Sequence, residues 1–124
     1  MNIIELNHVA LLVRDVAATS RFYADVVGLT PLTRPAFPFP GAWFRLGTQQ
    51  ELHLIQEEAA GVEDTRSRRD HYALRVDDIE AAAKHLRAKG ATFRGPIVRP
   101  DGAHQIFIKD PDGHVIEFCA DLPK

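Results

Sequence analysis

The sequence has one cysteine, one methionine and one tryptophan in 124 residues. A lone cysteine, Cys119, excludes an internal disulfide and fits a reducing compartment. There is little charge of either sign in excess: 15 Lys and Arg against 17 Asp and Glu leave a net charge of -2. No global basic field is therefore present to draw nucleic acid. The one basic cluster, Arg66, Arg68 and Arg69, is too small for such a footprint and reads as part of a solvated linker. No stretch approaches the ~20 apolar residues that cross a membrane. The start, MNIIELNH, has neither the basic region nor the apolar run of a signal peptide, so a cytoplasmic protein is expected. No short-range HxxxH motif occurs either, so any metal ligands must come from separate strands. What remains is ordinary globular composition, 45% hydrophobic and 26% charged, in a chain long enough to bury a core without staples.

What is present is a repeat. Residues 7–16 read NHVALLVRDV and residues 70–79 read DHYALRVDDI. In that alignment His8 falls on His71, Ala10 on Ala73, Val13 on Val76 and Asp15 on Asp78. Each segment reads as an apolar strand that ends in an aspartate. Each aspartate is placed to cap a helix, because a carboxylate there accepts bonds from unpaired backbone N–H groups. Helices are expected over Val16–Val27 and Ile79–Lys89, ended by Gly28 and Gly90. Strands follow near Thr30–Arg34, Ala42–Leu46 and Glu51–Gln56, and again near Thr92–Val98, Gln105–Lys109 and His114–Cys119. Asp110-Pro111-Asp112-Gly113 is a turn signal that joins the last two as a hairpin. The polar segment after Gln56 reads as a linker over 57–69. The expected fold is α+β: one domain, 1–124, made of two βαβββ modules, 1–56 and 70–124, with mixed sheets.

The chemistry falls at equivalent places in the two halves. First strands carry His8 and His71; last strands carry His53, in LHLI, and Glu117, in IEFC. Strand residues alternate faces. Val9, Leu11 and Val13, and Tyr72, Leu74 and Val76, make one apolar face that belongs to the helix. The histidines share the other face with Ala10 and Ala73, and that face is assigned to a cavity. Taken singly, each histidine is a hydrogen-bonded sheet residue. Four donors at repeat-equivalent positions point instead to a divalent metal. Imidazole and carboxylate together suit zinc, nickel, iron, manganese or cobalt. His85 on the second helix, His104 in a loop and His114 after the turn are weaker candidates. Cys119 reads as a small hydrophobe.

With these segments on the page, the chain resembles the vicinal oxygen chelate superfamily, which includes glyoxalase I, extradiol dioxygenases and bleomycin-binding proteins. The resemblance runs from NHVALLVRD through RFYADVVGL to KDPDGHVIEF. It implies two βαβββ modules forming a metal-binding cup, with metal ligands at His8, His53, His71 and Glu117. It also implies a metal-dependent enzyme, a lyase, isomerase or dioxygenase, that acts on a small substrate with vicinal oxygens, and a homodimer. Glu117 and His53 are the residues it would use in proton transfer. Glyoxalase I usually places a glutamate where His53 stands. The alternative is a drug- or metabolite-binding module of the bleomycin-resistance kind, without catalysis.

The loop RPAFPFPGAW, Arg34 to Trp43, brings three prolines together with Phe37, Phe39 and Trp43. Stiff backbone and aromatic rings make an apolar wall. It is read either as a rim over the substrate, with Trp43 and Phe39 in contact, or as a dimer contact. Arg45, Arg75 and Arg99 are candidates to clamp a carboxylate or phosphate. Arg75 leads, since alternation puts it on the His71 face. Gln105 is a candidate donor to a substrate oxygen.

Overall fold

The structure is a computed structural model that describes residues 1–61 and 70–121. Arg66, Arg68, Arg69 and most of the expected linker lie outside the described residues. The chain divides into two compact units, Met1–Gly61 and Val62–Lys124.

In the first unit, strand β1 (His8–Val13) leads into helix α1 (Val16–Arg21), which continues as a π-helical stretch, Phe22–Val27. Strands β2 (Pro31–Leu32), β3 (Gly41–Leu46) and β4 (Gln50–Gln56) follow. The sheet order is β1-β4-β3-β2. β1 runs parallel to β4, and the other pairs are antiparallel. Asp15 caps α1 as expected: its carboxylate accepts from the Ala17 and Ala18 amides at 3.0 and 3.2 Å. Gly28, at φ 89, ends the helical run, a conformation a side chain disfavours. Two expectations change in detail. The helix widens after Arg21, so Gly28 N–H reaches back to the Tyr23 carbonyl at 3.0 Å. β2 is far shorter than Thr30–Arg34. Neither Pro31 nor Pro35 has an N–H to give the ladder.

The second unit repeats the plan with β5 (His71–Arg75), α2 (Ile79–Ala88), β6 (Phe93–Val98), β7 (His104–Lys109) and β8 (Val115–Ala120). The order is β5-β8-β7-β6, with β5 parallel to β8. Asp78 caps α2 through the Glu80 and Ala81 amides, both at 3.0 Å. His85 is exposed on α2, as its helix position suggested. His104 is not in a loop: it opens β7, opposite Ala120. The β7–β8 hairpin turns on Asp110, whose carboxylate accepts from the Asp112 and His114 amides.

Alternation sorts each sheet into two faces. In the first unit Val13, Tyr23, Phe44, Leu52 and Leu54 are buried, which turns Glu51, His53 and Ile55 to the opposite face of β4. In the second, Ile79, Ala83, Leu86, Ile106, Ile116 and Phe118 are buried, which turns Glu117 and Cys119 the other way on β8. Packing of the helix against one face thus presents the donors on the other.

Candidate metal centre

Each unit brings one donor pair together across its parallel seam. In the first, Ala10 stands opposite His53 in the β1–β4 register. His8 lies two residues earlier on the same face. The two imidazoles stack, centroids 4.2 Å apart and 18° from parallel. Trp43, opposite His53 on β3, stacks on the other side at 4.0 Å and 3°. His53 is therefore held between two rings, an arrangement worth about 0.5–1.5 kcal/mol per aromatic pair. Its Nε2 is 2.9 Å from Oε1 of Glu51. Glu51 Oε2 lies 3.8 Å from Arg45. His8 Nδ1 meets Asn7 Oδ1 at 2.8 Å. These partners engage one nitrogen of each ring, leaving Nδ1 of His53 and Nε2 of His8 as the second nitrogens.

In the second unit Ala73 stands opposite Glu117, and His71 reaches across so that its Nε2 is 3.3 Å from Glu117 Oε1. The Glu117 residue is only 5% exposed, and a carboxylate so buried needs a cation or a hydrogen-bonded partner. Phe107, opposite Glu117 on β7, meets the His71 ring edge-on at 5.9 Å. Arg94 lies over Phe107 at 4.9 Å. Trp43 and Phe107 hold equivalent strand positions in the two halves, but Trp43 stacks on the last-strand donor, His53, whereas Phe107 meets the first-strand donor, His71, edge-on. Among the described residues, no three His, Cys, Asp or Glu side chains form a group that could hold a metal ion. Each unit offers a pair.

The expected substrate contacts fall as follows. Trp43 is joined to the loop through Phe37 at 6.1 Å, and Phe37 stacks on Phe39 at 5.4 Å. A run of rings therefore leads from the loop to the histidines. Arg75 lies in an exposed ion pair with Asp121 at 3.1 Å. Gln105 stands opposite Cys119 in the β7–β8 register, half-buried. Arg99 is engaged by Asp101, which raises the guanidinium's pKa and lowers the carboxyl's. Burial, then the charge of Glu117, pushes the Cys119 thiol up, which suits a packing role over a nucleophilic one. Sequence reasoning missed Glu51 and Phe107. Both had a signal: Glu51 is two residues from His53 and so on its face, and Phe107 is as far from Trp43 as Glu117 is from His53.

A family model, the Glyoxalase/Bleomycin resistance protein/Dioxygenase superfamily, matches residues 5–118. The chain belongs to this superfamily. All four donors lie inside the matched region. The chain is 30% identical over 125 residues to lactoylglutathione lyase of Haemophilus influenzae, covering 92% of this chain and 90% of that protein. It is 29% identical over 126 residues to Glyoxylase I 4 of Arabidopsis thaliana, covering 96% of this chain and 72% of that one. Among solved structures, a glyoxalase family protein from Bacillus anthracis superposes with a TM-score of 0.82 at 25% identity, covering 98% of both chains. Like its superfamily relatives, the chain has an α+β fold with two four-stranded mixed sheets.

Proposed function

We propose that this superfamily member is a metal-dependent enzyme that acts on a small substrate with vicinal oxygens, as a lyase, isomerase or dioxygenase. His8, His53, His71 and Glu117 would be the metal ligands. The observation that carries the reading is Glu117: a buried carboxylate, 3.3 Å from an imidazole nitrogen, on the face turned away from the core. The donor chemistry fits, since three imidazoles and one carboxylate suit zinc, nickel, iron, manganese or cobalt. The metal, when bound, would supply Lewis acidity toward a substrate oxygen.

The chain's own residues divide the remaining work. Glu51 holds His53 by one nitrogen, and the Trp43 and His8 rings fix its plane. A ring oriented in this way is suited to ligate or to accept a proton at Nδ1. Glu117 is the second candidate for proton transfer. Trp43 and Phe39 would bound the substrate, and Gln105 and Arg75 would meet its polar groups. The exposed pairing of Arg75 with Asp121 makes it the weaker of these. Sheet edges at β1 and β5 support a homodimer. A lone cysteine supports a reducing, cytoplasmic setting.

The run of rings from Phe39 to His53 favours a second reading, a module that holds an aromatic drug or metabolite without catalysis. Elemental analysis of protein purified without added metal separates the two. Stoichiometric metal in the wild type, lost in Glu117→Gln, supports the enzyme. Turnover screens with dicarbonyl–thiol adducts and catechols then name the reaction. A metal-free wild type that takes up none of the five ions would reject the proposal and leave the binding module.

A further inference from the structure

The loop between β2 and β3 holds an arginine that the metal chemistry does not use. The Arg34 guanidinium carbon lies 5.0 Å from the centre of the Phe37 ring and 4.9 Å from that of Phe39. One of its terminal nitrogens donates to the Phe39 carbonyl at 2.9 Å. Gly41 admits it: a Cβ there would lie 2.9 Å from Cζ and Nε of Arg34 and 2.4 Å from the Leu54 carbonyl oxygen. Two rings, a carbonyl and a bare stretch of backbone thus fix one planar cation before any ligand arrives. Among the described residues no carboxylate pairs with it. A guanidinium has five N–H donors, so most of its fork is left to meet something else.

That fork borders a groove of about 390 Å³, lined also by Leu32, Trp43, Arg21 and Asp25. The groove exists because β2 stops at Leu32. It pairs only with Phe44 and Trp43 and leaves the β3 edge uncovered at Gly41 and Ala42. Trp43 lines the groove and also stacks on His53, so one residue links the groove to the histidine pair. An aromatic wall beside a pre-fixed planar fork suits one class of ligand. A flat apolar body can lie against Trp43 while a carboxylate takes two parallel N–H bonds from the arginine.

We propose that Arg34 and its groove bind the carboxylate of an aromatic organic acid, which makes the substrate of the site an anion with a planar apolar body. The claim rests on the enzyme reading for its chemistry but not for its binding. Phenylacetate and phenylacetamide, which differ in charge and little in shape, provide the probe. Trp43 is the only tryptophan, so its emission reports occupancy of the groove directly. Chelator-treated protein is titrated with each compound and binding is read from that emission. Millimolar affinity is what fragments of this size support.

The expected result is that phenylacetate binds about 10-fold more tightly than phenylacetamide, the scale of one charge-assisted contact. Arg34→Met should erase the difference between the two compounds, with the acid losing more affinity than the amide. Arg34→Lys, which keeps the charge and loses the fork, should fall between. The wild-type comparison needs no variant and stands even where Arg34→Met fails to fold. Equal binding of acid and amide by the wild type, no binding of either, or a preference that survives Arg34→Met would each overturn the proposal. Discrimination in a protein that takes up no metal would keep the groove and remove the metal enzyme. Metal uptake without discrimination would do the reverse.

Discussion

Replacing Glu51 by Gln removes a charge from one side of His53, together with the 3.8 Å ion pair to Arg45, and keeps the side chain's size. β4 alternation sets Glu51 on the His53 face, with Oε1 2.9 Å from Nε2. A hydrogen bond to a charged group contributes about 1.5–3 kcal/mol. The Glu51 side chain keeps 25% of its surface in water, so screening places the value at the low end, about 1.5 kcal/mol. That is roughly a tenfold loss in metal affinity, inside the 10- to 100-fold range typical of a partner that orients a ligating histidine. The assay is a titration of chelator-treated protein with cobalt or nickel, followed through Trp43, whose ring lies 4.0 Å from that of His53. The expected curve has the same end point as wild type, displaced to about tenfold higher metal, with an unchanged melting temperature. Glu58→Gln, at an exposed site in the same unit, should leave the curve in place. A Glu51→Gln affinity equal to wild type would refute the claim that this carboxylate orients His53 for the metal.

His53→Ala and His8→Ala, compared side by side, should lose metal to the same degree if both are ligands; a fully loaded His53→Ala protein would make His53 a proton acceptor instead. Leu52→Ala, at a fully buried position of the β4 core face, should cost about 2–5 kcal/mol in denaturant unfolding, while Ile55→Ala on the opposite face should cost much less. Asp101, held low by its hydrogen bond to Arg99 and then by the Ala103 amide, should move back toward the ordinary carboxylate value in Arg99→Ala, as followed by carbon NMR. Because its folded pKa is depressed, its contribution to stability is present above the unfolded carboxylate pKa and is lost as pH falls through the folded value. In Arg99→Ala that acid-side loss should be smaller and complete at a higher pH.

The repeat made most of this legible. Matching His8 to His71 and Asp15 to Asp78 fixed where strand yields to helix in both units. Both caps formed because a strand-ending aspartate has one strong local option, the unpaired amides of the next turn. The donor pairs were legible because period-two alternation leaves no choice of face once the core residues are known. What was not legible depends on contacts distant in sequence or on backbone detail. The π-helical turn after Arg21, seen in the Gly28 and Leu29 amides that reach back to the Tyr23 carbonyl, leaves no mark in the 3.6-residue periodicity. β2 looked longer because the effect of Pro31 and Pro35 on pairing was not counted. His104 was read as loop, although its place opposite Ala120 depends on the Asp110 turn setting the register. Arg34 was passed over for Arg45, Arg75 and Arg99 because its cage is built from two rings and a missing side chain, and only folding brings these together.

The parallel pairing of first and last strand in each unit sets an order on assembly. His8 and His53 belong to strands that can meet only after α1, β2 and β3 have been laid down between them, and the same holds for His71 and Glu117 around β8. Closing so long a loop carries an entropic cost that local hairpins such as β7–β8 escape. The seams are therefore expected to form late, and β1 and β5, each paired on one side only among the described residues, to open early. Opening of this kind would separate the donors while the helices and hairpins stay intact. An ion that bridges a seam would close the edge most prone to fray, and its effect would show first in slowed amide exchange along β1 and β5, ahead of any rise in the melting temperature.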